Sequence, residues 1–157
     1  MPPEEGMTPI VRNTTRLVSG FIVVFGTYIA LTGHLGPGGG FAGGVILAAA
    51  GVLIVLAFGR QASAMILNEP KCHVWDAAGA MAFLLVALCG YFSGGFFVNF
   101  IGPQWGPLGG VHDLLSGGMI PLANLAILVK VAAGLAGGFL ALAAFRRLDP
   151  PRHAEEL

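Results

Sequence analysis

Four apolar runs, each long enough to cross a bilayer, decide what this chain can become. Their cores are Leu17–Gly33, Phe41–Gly59, Ala77–Ile101 and Ile120–Phe145. About 20 apolar residues at ~1.5 Å each span a hydrocarbon layer of roughly 30 Å, so each run reads as one transmembrane helix. The fold expected is all-α: a polytopic membrane protein of four transmembrane helices, with 1–16 leading in, 17–145 forming the membrane domain and 146–157 a polar tail. Composition agrees, because 55% of residues are AVILMFWYC and only 10% are DEKR. An ordinary soluble domain carries about 25% charged residues. Too few charges remain to cover a water-facing surface, which excludes a soluble enzyme, a disordered tail and a nucleic-acid binder. Lys+Arg 8 against Asp+Glu 8 leaves no basic field for phosphate.

Basic residues set the expected orientation, since basic loops stay cytoplasmic. Arg12 and Arg16 precede the first run, Arg60 and Lys71 separate the second from the third, and Arg146, Arg147 and Arg152 follow the fourth. The opposite connections, His34–Gly40 and Gly102–Met119, contain no Lys or Arg. Both termini are therefore expected in the cytoplasm. The first run is expected to stay in place rather than act as a signal peptide, because a long, partly acidic segment precedes it and no A-x-A-like site follows. Cys72 is expected in a polar connection and Cys89 deep in an apolar run, so they form neither a disulfide framework nor a metal site. No cofactor is expected.

The connection between the first two runs is GHLGPGGGFAGG, Gly33 to Gly44. Gly38, Gly40 and Gly43 satisfy the G-x-G-x-x-G spacing of dinucleotide sites, but the preceding run is of membrane length and no acidic residue stands about 20 positions on. A structural turn fits better: Pro37 blocks helix continuation, while Gly38, Gly39 and Gly40 admit positive φ and close backbone approach. His34, at the outer end of the first helix, is either an interfacial hydrogen-bonding histidine or part of a proton or cation relay.

Lys130 is the strongest functional signal. A lysine at a helix centre costs about 2.5–3.5 kcal/mol on insertion scales, a cost that the Leu, Ile, Val and Phe residues of the fourth run can carry. At about 100° per residue it shares a face with Ala123, Ala126, Ala133, Gly134, Gly137 and Ala141, while Leu125, Leu128, Leu135, Phe139 and Leu142 lie opposite. Small residues favour close helix contact, so Lys130 is expected to face protein or a hydrated cavity and the large side chains to face lipid. It is the one formal charge inside the four cores. Its counter-charge is therefore expected from a neighbouring chain, unless the amine gives up its proton. An ion path and a structural ion pair both remain open for it. Asn124 lies about 120° away on the same helix and need not share its site.

Weaker features have simpler readings. Asp76 is expected at the start of the third helix, favourable at a positive N-terminus. His112 and Asp113 read as loop or cap residues, Trp75 and Trp105 as interfacial aromatics, and Gly134 with Gly138 as a G-x-x-x-G packing pair.

GHLGPGGGFAGGVILAAA, Gly33 to Ala50, strongly resembles the signature of the MnhB family, which supplies the second, B-type component of Mrp-type multisubunit sodium/proton antiporters. A second resemblance lies in SGGMIPLANLAILVKVAAGL, Ser116 to Leu135. The same type of chain also occurs in antiporter-like modules of energy-converting hydrogenases and their relatives. The resemblance implies a subunit, not an enzyme, in a prokaryotic cytoplasmic membrane. Its partners would be other subunits, the bilayer, sodium ions and protons. Read from their own positions in the chain, Lys130, His34 and Asn124 are the ion-pathway candidates, and Pro37, Gly38, Gly39, Gly40, Phe41, Gly43 and Gly44 form a structural motif. Three rivals compete: a pure scaffold subunit, a small drug exporter, which would want an acidic residue absent from Leu17–Gly33, and an intramembrane enzyme, which would want a convergent nucleophile, base and metal set.

Overall fold

The computed structural model describes residues 7–59, 68–101 and 116–145. Four long helices account for most of them: α1 Pro9–Leu31, α2 Gly40–Phe58, α3 Glu69–Cys89 and α4 Ile120–Phe145, with a single 3-10 turn, Gly90–Ser93, after α3. All four are long and apolar enough to cross a membrane, and no strand occurs among the described residues.

Packing is inverted relative to a soluble bundle. The buried set is rich in small residues, including Ala30, Ala48, Ala50, Ala57, Ala87, Ala123, Ala126 and Ala136, whereas Phe21, Val24, Phe41, Phe92 and Leu142 lie on the outside. Lipid solvates large aliphatic side chains as well as a protein core does, so helices in a membrane gain by close approach over small residues. α1 shows the rule: Thr15, Ser19, Gly26 and Ala30, spaced four or seven residues apart, are its buried positions.

α4 is the central helix, packed along its length against α2 on one side and α3 on the other, while α1 lies mainly on α2. The Met7 amide donates to the Ala57 carbonyl at 3.0 Å and the Arg16 guanidinium lies over the Phe58 ring, so α1 begins where α2 ends. Val55, Cys72, Ala136 and Leu140 cluster, with Phe139 against them, which brings the start of α3 and the second half of α4 to that same end. The start of α1 and the end of α4 therefore share one end of an antiparallel bundle.

Three boundaries differ from expectation. α1 starts at Pro9, not Leu17, so Arg12 and Arg16 are helix residues. α3 starts at Glu69, not Ala77, with Asn68 extended before it, a proline in its first turn and an acidic side chain there. Cys72, expected in a connection, is consequently a buried residue of α3. The same helix stops at Cys89, not Ile101. Gly94 adopts φ +104° and the chain reverses, the Phe97 amide donating to the Ala87 carbonyl at 3.0 Å and the Phe97 ring meeting Phe83 at 5.6 Å. Glycine at position 90 is required by that return, since a Cβ there would stand 2.7 Å from the Gly95 carbonyl oxygen. Arg60, Trp105, His112, Asp113, Arg146, Arg147 and Arg152 lie outside the described residues.

Candidate functional site

The seam between α3 and α4 is built on glycine. A Cβ at Gly79 would lie 2.6 Å from the Lys130 backbone nitrogen, one at Gly134 would lie 3.3 Å from Asp76 Oδ1, and one at Gly137 would lie 3.1 Å from Cys72 Cβ. Three successive levels of the interface are thus spaced by the absence of a side chain. In the room this leaves, Lys130 Nζ donates to Asp76 Oδ1 at 2.9 Å.

That ion pair corrects two expectations. Lys130 takes its counter-charge from its own chain, across 54 positions of sequence, and needs none in trans. Asp76 is not at the mouth of the third helix but in its second turn. The small-residue argument placed Lys130 on the right side of α4, against Gly79 of α3. It erred at Leu128, which is buried, not lipid-facing, because α2 also packs on α4: a Cβ at Gly43 would meet Leu128 Cδ1 at 3.0 Å and one at Gly44 would meet the Leu128 carbonyl at 2.9 Å. Phe139, expected outside with it, packs against the buried cluster. Of the Gly134–Gly138 pair, Gly134 packs against Asp76 within this chain and Gly138 has open space where its Cβ would be.

The Lys130 and Asp76 side chains keep 48% and 37% of their surfaces open. The pair therefore sits on the flank of the seam, where another polar group or a hydrated space can reach it.

His34 and Asn124 belong to a different place. Asn124 lies on the α2 side of α4 against the glycine turn: a Cβ on Gly33 would stand 3.0 Å from its Nδ2, one on Gly39 would stand 3.6 Å from its Oδ1, and one on Gly40 would collide with its backbone carbonyl. Gly117 packs against the His34 ring. Asn99 holds the same end closed, its Oδ1 accepting the Met119 amide at 3.3 Å and the Ile101 amide at 3.2 Å. Asn124 and Lys130 are six residues apart, about 9 Å along the axis, and face different helices. Within the glycine motif, Gly39 has φ +131° and Gly43 and Gly44 are buried, whereas Pro37 and Phe41 are exposed. The motif thus closes α2 onto α1 and α4 and leaves its proline and aromatic ring outward.

Asp76 was legible only as a charge near a boundary. Asn68, Glu69 and Pro70 form a helix-start signal, and reading the start there places Asp76 inside the span.

A helical membrane chain with these two motifs can be compared with known families. The MnhB family, described as a domain related to the MnhB subunit of Na+/H+ antiporter, matches residues 10–137. The chain belongs to the MnhB family. Among its relatives, the B-type component of the Na(+)/H(+) antiporter of Bacillus subtilis is 32% identical over 126 residues, which is 78% of this chain and 85% of that one. An uncharacterised protein of Methanocaldococcus jannaschii is 35% identical over 130 residues, 82% of this chain and 49% of its own length. This MnhB chain thus spans about half of that relative. Among solved structures, a chain of the membrane-bound sulfane sulfur reductase (MBS), an archaeal respiratory membrane complex, superposes with a TM-score of 0.69 at 34% identity, covering 87% of this chain and 58% of that one. With family and four spans in hand, this is a multi-pass cell-membrane protein.

Proposed function

We propose that this chain is a membrane subunit of a multisubunit monovalent-cation (sodium)/proton antiporter, forming part of the ion route or its wall and contributing to assembly. The observation that carries the reading is the Lys130–Asp76 contact inside two membrane-length helices. Ionisable groups at such depth are costly, and where they occur they mark ion and proton paths. A sodium ion arriving at Asp76 competes with the Lys130 ammonium for one carboxylate. A proton delivered to Asp76 removes the attraction that holds the ammonium. Either event changes the charge of the seam by one unit at a flank open to a neighbour. His34 and Asn124 enter this reading as polar groups at the glycine-turn end, a separate station from the ion pair. The chain works as a transporter subunit, not as an enzyme, and needs its partners for exchange.

A second reading has its own support in the respiratory complex whose chain superposes on this one: the equivalent subunit of a redox-driven complex. One experiment addresses both. The host complex, with and without this chain, is reconstituted into sodium-loaded vesicles and proton movement is followed with a pH-sensitive dye. Sodium-dependent proton movement that requires the chain supports the antiporter reading, and dependence on an added electron donor supports the second. Robust exchange by the isolated chain would show a self-sufficient transporter and defeat both.

A further inference from the structure

Lys130 stands between two groups on one flank of the α3–α4 seam. A Cβ at Gly79 would lie 2.8 Å from Lys130 Cβ, so the two residues are level. Asp76 is three residues from Gly79 towards the start of α3, about 4.5 Å along the axis, and Phe83 is four residues the other way, about 6 Å. Seven residues apart, Asp76 and Phe83 lie within about 20° of one helix face, on the flank where the ion pair forms. Trp75, Ala82 and Val86 turn to the opposite flank, where they line a groove with Val129. We propose that the Phe83 ring is a second seat for the Lys130 ammonium, which swings onto it when Asp76 is neutralised.

Side-chain direction favours the second seat. Cα–Cβ bonds tilt towards the start of their own helix, and α3 and α4 run antiparallel, with Gly137 beside Cys72, Gly134 beside Asp76 and Lys130 beside Gly79. The lysine stem therefore leaves its backbone towards the level of Phe83, and Phe83 leans towards the lysine, whereas Asp76 leans away from it. To donate to Asp76 at 2.9 Å, the stem folds back against that tilt, and the attraction of opposite charges holds it there. Four methylenes span about one helical turn, ~5.4 Å, enough to reach either neighbour.

The surroundings leave the released ammonium one attractive surface in this chain. Ala80 and Ala87 of α3 and Ala123, Ala126 and Ile127 of α4, the described residues around that stretch of the seam, carry no side-chain nitrogen or oxygen. An aromatic face attracts a cation within about 6 Å of its centroid, most strongly where water is excluded. The Phe97 ring stands behind Phe83, centroids 5.6 Å apart, and the Phe97 amide is tied to the Ala87 carbonyl at 3.0 Å, so the chain reversal after α3 backs the seat. The inference rests on the reading of Asp76 as the carboxylate that a proton or a sodium ion neutralises.

The test reads the position of the amine directly. The full chain, carrying 13C at its lysine ε-carbons, is placed in lipid nanodiscs, where its NMR spectrum holds two lysine signals, Lys71 and Lys130, assigned with Lys71→Arg. Protons above an aromatic face shift upfield. Asp76→Asn, which neutralises the carboxylate without any ion, should move the Lys130 signal upfield and leave that of Lys71 in place. In the Asp76→Asn background, Phe83→Leu should abolish the shift and Phe83→Tyr should keep it. No upfield movement in Asp76→Asn, or one undiminished by Phe83→Leu, overturns the proposal. Unchanged sodium exchange by the assembled Asp76→Asn complex, with the shift present, would instead defeat the ion-route reading and leave the seat standing.

Discussion

Gly79 lies directly against the backbone of Lys130, so close that a Cβ on the glycine would stand 2.6 Å from the lysine nitrogen and 2.9 Å from its Cα. A backbone contact of this kind cannot relax by rotating a side chain. Gly79→Ala should push α3 from α4, costing about 1–3 kcal/mol, the usual scale of overpacking, and loosening the ion pair beside it. Gly138→Ala, with open space at its Cβ, is the control. Thermal denaturation in detergent should separate the two variants, and equal melting would show that the seam has slack there.

Lys130 and Asp76 should fail together. In the assembled complex, Lys130→Met and Asp76→Asn are each expected to assemble, because both side chains are partly open and the abandoned partner is not sealed in. Exchange should fall in both, and Lys130→Arg should keep part of it, since guanidinium retains the charge but alters donor geometry and does not deprotonate. The double variant should lose less than the two single losses combined, as coupled residues do. Wild-type exchange in Lys130→Met across pH, with assembly intact, would remove the pair from the ion path. Lost assembly would make it a structural tie.

The glycine turn gives a sharper contrast. Gly39→Val places a β-branched residue at φ +131°, and Gly40→Ala drives a Cβ into the Asn124 carbonyl. Both should deplete the assembled complex on blue-native gels. Gly36→Ala, with nothing within 4 Å, should leave it unchanged, and a complex that tolerates Gly40→Ala would reduce the motif to a linker.

Orientation is open to direct measurement. Basic residues favour cytoplasmic termini, so reporter fusions at Leu157 and within Pro103–Gly110 should give opposite compartment signals. Equal signals would contradict a single crossing between those two points.

The number of helices, the glycine turn and the side of α4 that carries Lys130 could all be read from residue order, because each follows from local rules of length, backbone freedom or helical spacing. Asp76 could not be paired with Lys130 on those rules. Hydropathy placed the third span at Ala77, one residue too late to include it, and nothing local links positions 54 apart. The Phe96–Ile101 segment misled for a related reason: its apolar composition continues the helix, while Gly94 and Gly95 turn it back, and a double glycine was the signal to weigh. Leu128 failed because a wheel with one protein side and one lipid side does not describe a helix held from two directions.

That two-sided hold has a mechanical consequence. α4 carries Asn124 against the glycine turn and Lys130 against Asp76 on one rigid rod, engaged with different neighbours at different heights. A rotation of the rod that draws the lysine off its carboxylate also drags the asparagine carbonyl across Gly40, where there is no clearance. The tight fit at one end resists that rotation, so the lysine parts from its carboxylate by turning its own flexible side chain while the rod stays seated.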